Sequence, residues 1–361
     1  MARIELRDVA HSYNGGKDYA LKPLNMVWED GRTYALLGPS GCGKTTMLNI
    51  ISGLLKPSEG RLLFDGVDVT DSKAEGRNIA QVFQFPVIYS TMTVAQNLAF
   101  PLVCRGYPVN EIKQRVDSVA ELLGLSELMQ YPARRLTADQ KQLVSMGRGL
   151  VREDVSAILL DEPLTVIDPQ MKFELRRKLK QINREFGITM VFVTHDQTEA
   201  LTFAEEVVVM KDGEIMQRGS PQDLFERPGN TFVGYFIGSP PMNFLSAEVA
   251  EGKLSCPNTR FSVPADNLGG KGEIQIGFRP EFVELVAREK ANFATARIEK
   301  VDNLGVETIV TLTLPGNLTV RAKTTTRFHQ DAGDVVGLSV SDDRIQLYSN
   351  GLRIGQANEM A

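Results

Sequence analysis

The sequence predicts an α/β nucleotide-binding core, with an antiparallel β flank and an α-helical insert, followed by a small all-β barrel-like domain. Three observations carry that expectation. The segment Gly38-Pro39-Ser40-Gly41-Cys42-Gly43-Lys44-Thr45-Thr46 follows the apolar run Tyr34-Ala35-Leu36-Leu37 and precedes a helical pattern over 47–55, closed near Gly53. Two further apolar runs end in polar chemistry, 157–160 at Asp161-Glu162 and 188–193 at Thr194-His195-Asp196. After Gly238-Ser239-Pro240-Pro241 the texture changes to short β-type runs separated by glycine, proline and asparagine.

Strand, glycine-rich turn and helix is the setting in which G-x-x-x-x-G-K-[ST] is a phosphate loop. Glycines let backbone N–H groups point inward, where they and the helix N-terminus hold phosphate oxygens. Lys44 is placed to reach the β- and γ-phosphates, and the Thr45 hydroxyl to ligate Mg²⁺. A flexible loop with a stray lysine would not need this flanking pattern.

Bulk properties bound the alternatives. A chain of 361 residues is too long for one core, so two domains are expected. A net charge of −5 and a pI near 5.5 argue against a nucleic-acid binder with a basic surface. The three cysteines, Cys42, Cys104 and Cys256, are far apart and odd in number, which suggests a reducing compartment. The first residues carry no apolar signal region, and no window approaches twenty uninterrupted apolar residues. The expectation is a cytoplasmic protein able to dock on a membrane partner.

In chain order, residues 3–37 alternate short apolar runs with the turns Asn14-Gly15-Gly16 and Glu29-Asp30-Gly31, as an antiparallel flank does. Tyr13, just before the first turn, is an aromatic that could stack on a base or pack locally. Residues 61–71 read as a hairpin around Asp65-Gly66, and 79–86 as a strand ending at Gln84 and Pro86. From about 93 to 150 the pattern is helical. Ile112, Val116, Val119 and Leu123 share a face, with Asn110 as the expected N-cap and Gly124 as the stop. A helix with Met171, Leu175, Leu179, Ile182 and Phe186 on one face is ended by Gly187. Short strands over 207–210 and 214–217 flank Lys211-Asp212-Gly213, and Ser220-Pro221 opens a helix. Strands are then expected over 272–278, 294–301, 308–314 and 335–340.

Asp161 ends an apolar strand, and alternation of side chains along a strand separates its role from that of Glu162. Asp161 can bind Mg²⁺ directly or through water, while Glu162 can orient and deprotonate an attacking water. In these residues and their order the chain resembles the ATPase subunit of an ABC transporter, in the branch serving sugar, polyol and glycerol-phosphate importers. Residues 38–46 match the Walker A motif, 158–162 the Walker B, Gln84 the Q-loop, and Thr165-Val166-Ile167-Asp168 the D-loop. His195 matches the switch histidine and Tyr13 the adenine-stacking aromatic. Ile276-Gly277-Phe278-Arg279-Pro280-Glu281 and Val301-Asp302-Asn303-Leu304-Gly305-Val306-Glu307-Thr308 resemble recurring segments of the branch's C-terminal regulatory domain.

The resemblance implies a RecA-like P-loop NTPase domain over 1–235, with a helical subdomain over about 88–152, and an OB/TOBE-like regulatory or dimerisation domain over 236–361. It implies ATP and Mg²⁺ as cofactors, the metal held by Thr45, Gln84 and Asp161. It implies that Glu162, His195 and Gln84 act in hydrolysis. Two ATPase subunits would close head to tail, trapping ATP between one chain's phosphate loop and the other's signature segment. The helical insert would meet two transmembrane permease subunits fed by an extracytoplasmic solute-binding protein, with the ATPase peripheral on the cytoplasmic face of the membrane. Among solutes, glycerol or a related polyol, carried by an importer with two paired ATPases, is preferred.

The sequence also departs from the family. The signature is normally Leu-Ser-Gly-Gly-Gln, and here it reads Leu136-Thr137-Ala138-Asp139-Gln140. Both glycines are gone, and Asp139 would bring a carboxylate toward a polyanion in a water-poor interface. Leu143 stands where the family usually has arginine, and Val166-Ile167 are unusual in the D-loop. We therefore expect a heterodimer with a second, different ATPase chain and one degenerate site. The alternatives are a symmetric homodimer, or a regulatory ABC protein outside transport; nucleic-acid-acting relatives are disfavoured by the acidic balance.

Overall fold

The computed structural model describes residues 2–16, 18–152, 155–265, 272–325 and 328–357. Its chain divides into two units, 1–221 and 222–361, so the division falls before the expected boundary at 235. The first unit opens with the antiparallel pair β1 (Ile4–His11) and β2 (Leu21–Trp28), then β3 (Thr33–Leu37) and α1 (Lys44–Ser52). The strands β4 (Glu59–Phe64) and β5 (Val67–Asp68) form the expected hairpin, with Asp65 and Gly66 both at positive φ. Next come β6 (Ile79–Val82) and the helices α2 (Val94–Val103), α3 (Val109–Leu123) and α4 (Ala138–Leu150). The core resumes with β7 (Ala157–Asp161), α5 (Pro169–Phe186), β8 (Met190–Thr194), α6 (Gln197–Phe203), β9 (Glu206–Lys211) and β10 (Glu214–Gly219).

The main sheet of this unit runs β10-β9-β3-β8-β7-β6, parallel except for the edge strand β10. Every residue of β3, β7 and β8 is buried, which is why these strands read as continuous apolar runs. A second, antiparallel sheet, β2-β1-β4-β5, is the expected flank. Their shared core includes Trp28, Tyr34, Leu36, Met47, Ile51, Leu159 and Val191. Parallel strands put the segments after β3, β6, β7 and β8 at one edge of the sheet, where open α/β sheets place ligands.

Some local readings change. Helix α1 begins at Lys44, earlier than the apolar periodicity suggested, because the phosphate loop hands its last glycine directly to the helix as N-cap. Helix α3 is capped by Pro108, not Asn110: the Pro108 carbonyl already accepts Ile112 N–H at 3.0 Å, and proline's fixed φ presets the entry. Strand β6 stops at Val82, and residues 83–88 leave the sheet. The α2 start is a full capping box, Thr93 Oγ1 accepting from Gln96 N–H and Gln96 Oε1 from Thr93 N–H.

The second unit opens with two short helices, α7 (Pro221–Glu226) and α8 (Thr231–Phe236), ahead of the all-β stretch expected after 238. Its strands follow as β11 (Asn243–Ala250), β12 (Lys253–Ser255), β13 (Ser262–Pro264), β14 (Ile274–Phe278), β15 (Glu284–Val286) and β16 (Ala294–Asn303). The rest are β17 (Thr308–Leu314), β18 (Leu318–Thr324), β19 (Val335–Ser339), β20 (Gln346–Ser349) and β21 (Leu352–Gln356). Two antiparallel sheets result, β13-β12-β11-β14-β20-β21 and β15-β19-β16-β17-β18, around a core of Phe278, Phe293, Leu312, Val320, Leu338 and Leu347.

Arg279, 1% exposed, binds the two helices to this core. Its guanidinium donates to Phe225 O and Gly234 O at 2.9 Å, to Leu224 O at 3.5 Å and to Ile237 O, and lies over the Phe225 ring. Burial without a contacting carboxylate lowers its pKa to about 10.

Candidate active site

Two glycines shape the phosphate loop. Gly43 sits at φ 103°, and a Cβ on Gly38 would stand 2.3 Å from Met210 O, so neither position accepts another residue without rearrangement. Lys44 is buried, and its Nζ donates to Gly38 O at 2.8 Å and Pro39 O at 2.9 Å, with Cys42 Sγ at 3.7 Å. The lysine is thus folded back over its own loop, satisfied by carbonyls that a phosphate would outcompete. Burial pushes the Cys42 thiol up and keeps it protonated despite the neighbouring ammonium. Cys42 is a small side chain packed within the loop.

Thr45 Oγ1 lies 3.4 Å from Asp161 Oδ1 at the end of β7. Asp161 is 7% exposed, and desolvation raises its pKa against the opposing hydrogen bond from Thr45. A hydroxyl and a partly desolvated carboxylate are hard oxygen donors of the kind Mg²⁺ takes. Among the described residues no group of three or more His, Cys, Asp or Glu side chains could hold a metal ion by itself.

Glu162 is not a strand residue. Its φ of 45° turns the chain out of β7, and this kink, rather than strand alternation, separates its carboxylate from that of Asp161. Three donors converge on the Glu162 side chain. Gln84 Nε2 donates to Oε2 at 3.1 Å, Thr165 Oγ1 stands 3.4 Å from the same oxygen, and His195 Nδ1 is 3.2 Å from Oε1. The single Thr165 hydroxyl proton is shared between Oε2 and the nearer Glu162 carbonyl, 3.1 Å away. His195 stays open, its side chain 58% exposed.

Tyr13 is 66% exposed, its hydroxyl 3.2 Å from Thr46 Oγ1 and its ring edge-on to His11. A cleft of about 590 Å³ is lined by Tyr13, Ala20, Ser40, Gly41, residues 43–46, Gln84, Glu162, Thr165 and His195. That volume suits a nucleotide-sized ligand. Gly38, Pro39 and Cys42 shape the loop from behind. Two lining residues were given no place on the cleft by the sequence reading, Ala20 and Thr165, the latter named only as the start of the D-loop. Ala20 bears no chemical signal, whereas Thr165 three residues after Glu162 has the spacing of a hydroxyl turning back on its own loop.

The segment 136–140 is apart from this cleft. Leu136 is buried, and Thr137 caps α4 in a capping box with Gln140. The Thr137 hydroxyl donates to the Asp139 carboxylate within the first turn. Leu143 is buried in the helical insert. Asp168 caps α5, accepting from Gln170 N–H at 2.9 Å, and does not line the cleft.

Between β6 and the insert, residues 83–89 are held by both neighbours. Gln142 Nε2 donates to Phe83 O at 3.1 Å, Val87 N–H to Ser145 Oγ at 3.1 Å, and Tyr89 N–H to Asn97 Oδ1 at 2.8 Å. Gln84, on the cleft, therefore sits in a segment tied to α2 and α4. Among the described residues no helix is long and apolar enough to cross a membrane.

The chain is similar to known proteins over most of its length. Residues 21–165 match the ABC transporter family, 238–283 the MalK OB fold domain and 276–347 the TOBE domain. The trehalose/maltose import ATP-binding protein MalK of Thermococcus litoralis is 41% identical over 335 residues, covering 88% of this chain and 89% of its own. The sn-glycerol-3-phosphate import ATP-binding protein UgpC 3 of Agrobacterium fabrum is 36% identical over 96% of this chain and 98% of its own. Among solved structures, cbiO1 of Clostridium perfringens, part of an ABC transporter complex, matches with a TM-score of 0.57 at 33% identity, over 62% of this chain and 90% of its own. A bacterial ABC transporter cassette solved as a dimer matches with a TM-score of 0.56 at 30% identity, over 60% of this chain and 98% of its own.

Proposed function

The chain belongs to the ATP-binding subunits of ABC transporters, and on that premise we propose that it is the ATPase of an importer for a small polar solute, a sugar, polyol or glycerol phosphate. As a member of that family it is an ATPase. The observation that carries the mechanistic reading is the convergence of Gln84, Thr165 and His195 on the Glu162 carboxylate beside the phosphate loop. In this reading Lys44 exchanges its loop carbonyls for β- and γ-phosphate oxygens, and Tyr13 stacks on the base. Thr45, Gln84 and Asp161 would hold Mg²⁺, which supplies charge neutralisation at the phosphates when bound. Glu162 takes the proton of the attacking water while His195 holds the γ-phosphate region in place. Replacing Glu162 with Gln is expected to keep ATP binding within about threefold and to lower turnover at least 100-fold, read by equilibrium binding and phosphate release.

The partners in this reading are two permease subunits, a solute-binding protein and a second ATPase chain that differs from this one, at the cytoplasmic face of the membrane. The heterodimer rests on the first turn of α4. The Thr137 hydroxyl is already committed to Asp139, and a carboxylate stands where a polyanion would have to approach. Within the chain Asp139 is favourable, since a negative charge suits a helix N-terminus. The residue that helps the helix therefore opposes a phosphate. A partner with an intact signature would complete this chain's own cleft, leaving the opposite site slow. Glycerol or a related polyol is the preferred solute.

Purifying the tagged chain from native membranes in mild detergent tests the assembly. Two permeases plus a second ATPase with both signature glycines is the expected composition; this chain as the sole ATPase would replace the reading with a symmetric pair. In that complex Asp139→Gly should raise total ATP turnover about twofold or more, and an unchanged rate and nucleotide occupancy would remove the repulsion argument.

A further inference from the structure

Behind the cleft lies a buried carboxylate that the mechanism above does not use. Glu199, on α6, is 4% exposed and receives two side-chain donors. Thr194 Oγ1 donates to its Oε2 at 2.7 Å, and Lys172 Nζ lies 3.0 Å from its Oε1. Each donor leads to a segment already described. Thr194 is the last residue of β8, directly before His195, and its Oγ1 also accepts Asp196 N–H at 3.0 Å. Asp196 Oδ1 in turn accepts Glu199 N–H at 3.2 Å, so residues 194–196 are pinned on both sides by Glu199. Lys172 is in the first turn of α5, where its own N–H donates to Asp168 O at 3.0 Å.

His195 needs this support. Its imidazole is largely in solvent, and the one side-chain contact described for it is Glu162. The ring's place over the cleft is therefore set mainly by the backbone at 194–196. Beside the pairing of Thr194 in the sheet and the start of α6 at Asp196, that backbone is held by the hydrogen bonds from Asp196 N–H through Thr194 Oγ1 to one carboxylate, whose charge is balanced by a lysine from another helix. A buried carboxylate without that lysine would be strongly disfavoured, so the Lys172 contact is a condition of the arrangement rather than an accessory.

We propose that Glu199 is a positioning residue for His195, and that through Lys172 it ties the histidine's orientation to the Asp168 turn at the start of α5. The network touches neither the phosphate loop nor Tyr13, so its loss acts on turnover and leaves nucleotide binding alone. The inference rests on the role given to His195 above.

The test uses the full-length chain in its purified importer complex for turnover, and the full-length chain alone for binding, melting and imidazole signals. Glu199→Gln keeps an acceptor for Thr194 and removes the charge facing Lys172. It should lower kcat about tenfold or more, with KM for ATP changed less than twofold. Lys172→Met should do the same and Lys172→Arg should restore kcat to within about threefold. The chain has three histidines, His11, His195 and His329, so the imidazole signals resolve by deletion of each. Glu199→Gln should shift or broaden the His195 signal and leave the other two in place. Should Glu199→Gln fail to fold, Thr194→Val, which removes only the hydroxyl, replaces it with the same expectations. A kcat within twofold of wild type overturns the proposal. So does a loss of kcat that follows a falling melting temperature while the His195 signal stays put, or a Lys172→Arg variant as inactive as Lys172→Met. His195→Ala separates the two readings: if it leaves turnover intact, the role of His195 falls and this inference with it. If it abolishes turnover while Glu199→Gln is silent, only this inference fails.

Discussion

Asp161 illustrates at the residue scale how a site residue can oppose stability. Desolvation raises its pKa, so the folded chain holds the Asp161 proton more tightly than the unfolded chain does. Its contribution to stability is therefore complete in acid, below the unfolded carboxylate range, and is lost as pH rises through the raised value. At neutral pH the ionised, nucleotide-free site is a net cost. Asp161→Asn should raise the melting temperature of the free chain by about 2–4 °C per kcal/mol recovered, abolish Mg²⁺-dependent turnover, and lose its stability advantage as pH falls toward 4. Calorimetry across that range, beside a turnover assay, checks it; an unchanged or lower melting temperature at pH 7 would mean the carboxylate is better solvated than its burial suggests. At this scale much of the site was legible. Lys44, Thr45, Asp161 and His195 end or follow apolar runs, and that grammar is local. The left-handed turn at Glu162 was not legible, because nothing in Asp-Glu-Pro announces a positive φ. Nor was the convergence on Glu199, whose donors come from a strand end five residues upstream and a helix 27 residues upstream.

At the scale of elements, the segment after β6 matters most, since it carries Gln84 and is gripped by α2 and α4. Asn97 is its deepest anchor, fully buried, accepting from Tyr89 N–H and donating to Tyr89 O and Thr93 O, both at 3.0 Å. Asn97→Ala takes the acceptor from Tyr89 N–H, while Tyr89 O keeps Met92 N–H and Thr93 O keeps the N–H of residue 97, so the cost is that of one unmet donor, about 1–3 kcal/mol. The expected result is uncoupling: ATP binding by the free chain unchanged, with solute uptake lowered at least fivefold in the assembled importer. Binding and uptake assays on one preparation distinguish this from general damage, which would lower both. Helix existence was readable here from the periodicity of Ile112, Val116, Val119 and Leu123, while the start was misplaced. Asn110 has a capping side chain, but Pro108 two residues earlier had already fixed the backbone for entry. Residues 83–88 looked strand-like because their apolar side chains continue the run of β6, yet Phe85 is 75% exposed and the hydrogen bonds of this stretch go to side chains of the insert.

For the whole molecule, the two-unit division was visible in the change of texture after 238, but its position was not. Helices α7 and α8 read as the tail of the first domain. Arg279, far downstream, claims their carbonyls for the second unit, and no local pattern records a contact over that separation. Arg279→Met fills the volume but leaves several helix-end carbonyls unmet, at a cost of roughly 3 kcal/mol or more. Its expected signature is a lowered melting transition for residues 222–361 alone, with ATP binding at the phosphate loop intact. A uniform fall of every transition would show that the two units do not melt separately. The strand order of the main sheet carries a consequence for biosynthesis. β3 and β7 are not neighbours; β8 lies between them and hydrogen-bonds to both. A nascent chain ending before residue 190 therefore holds β3 with neither of its neighbours in this sheet and β6 paired with β7, with no strand to join them and with open edges on both. Pairings this distant in sequence form slowly, and such edges invite association with other chains. The strand that joins β3 to β7 also delivers His195, the last residue in chain order to line the cleft, so the ribosome supplies the central strand and the last wall of the cleft within a few residues of each other, and any chaperone requirement of this half of the sheet should peak just before that point.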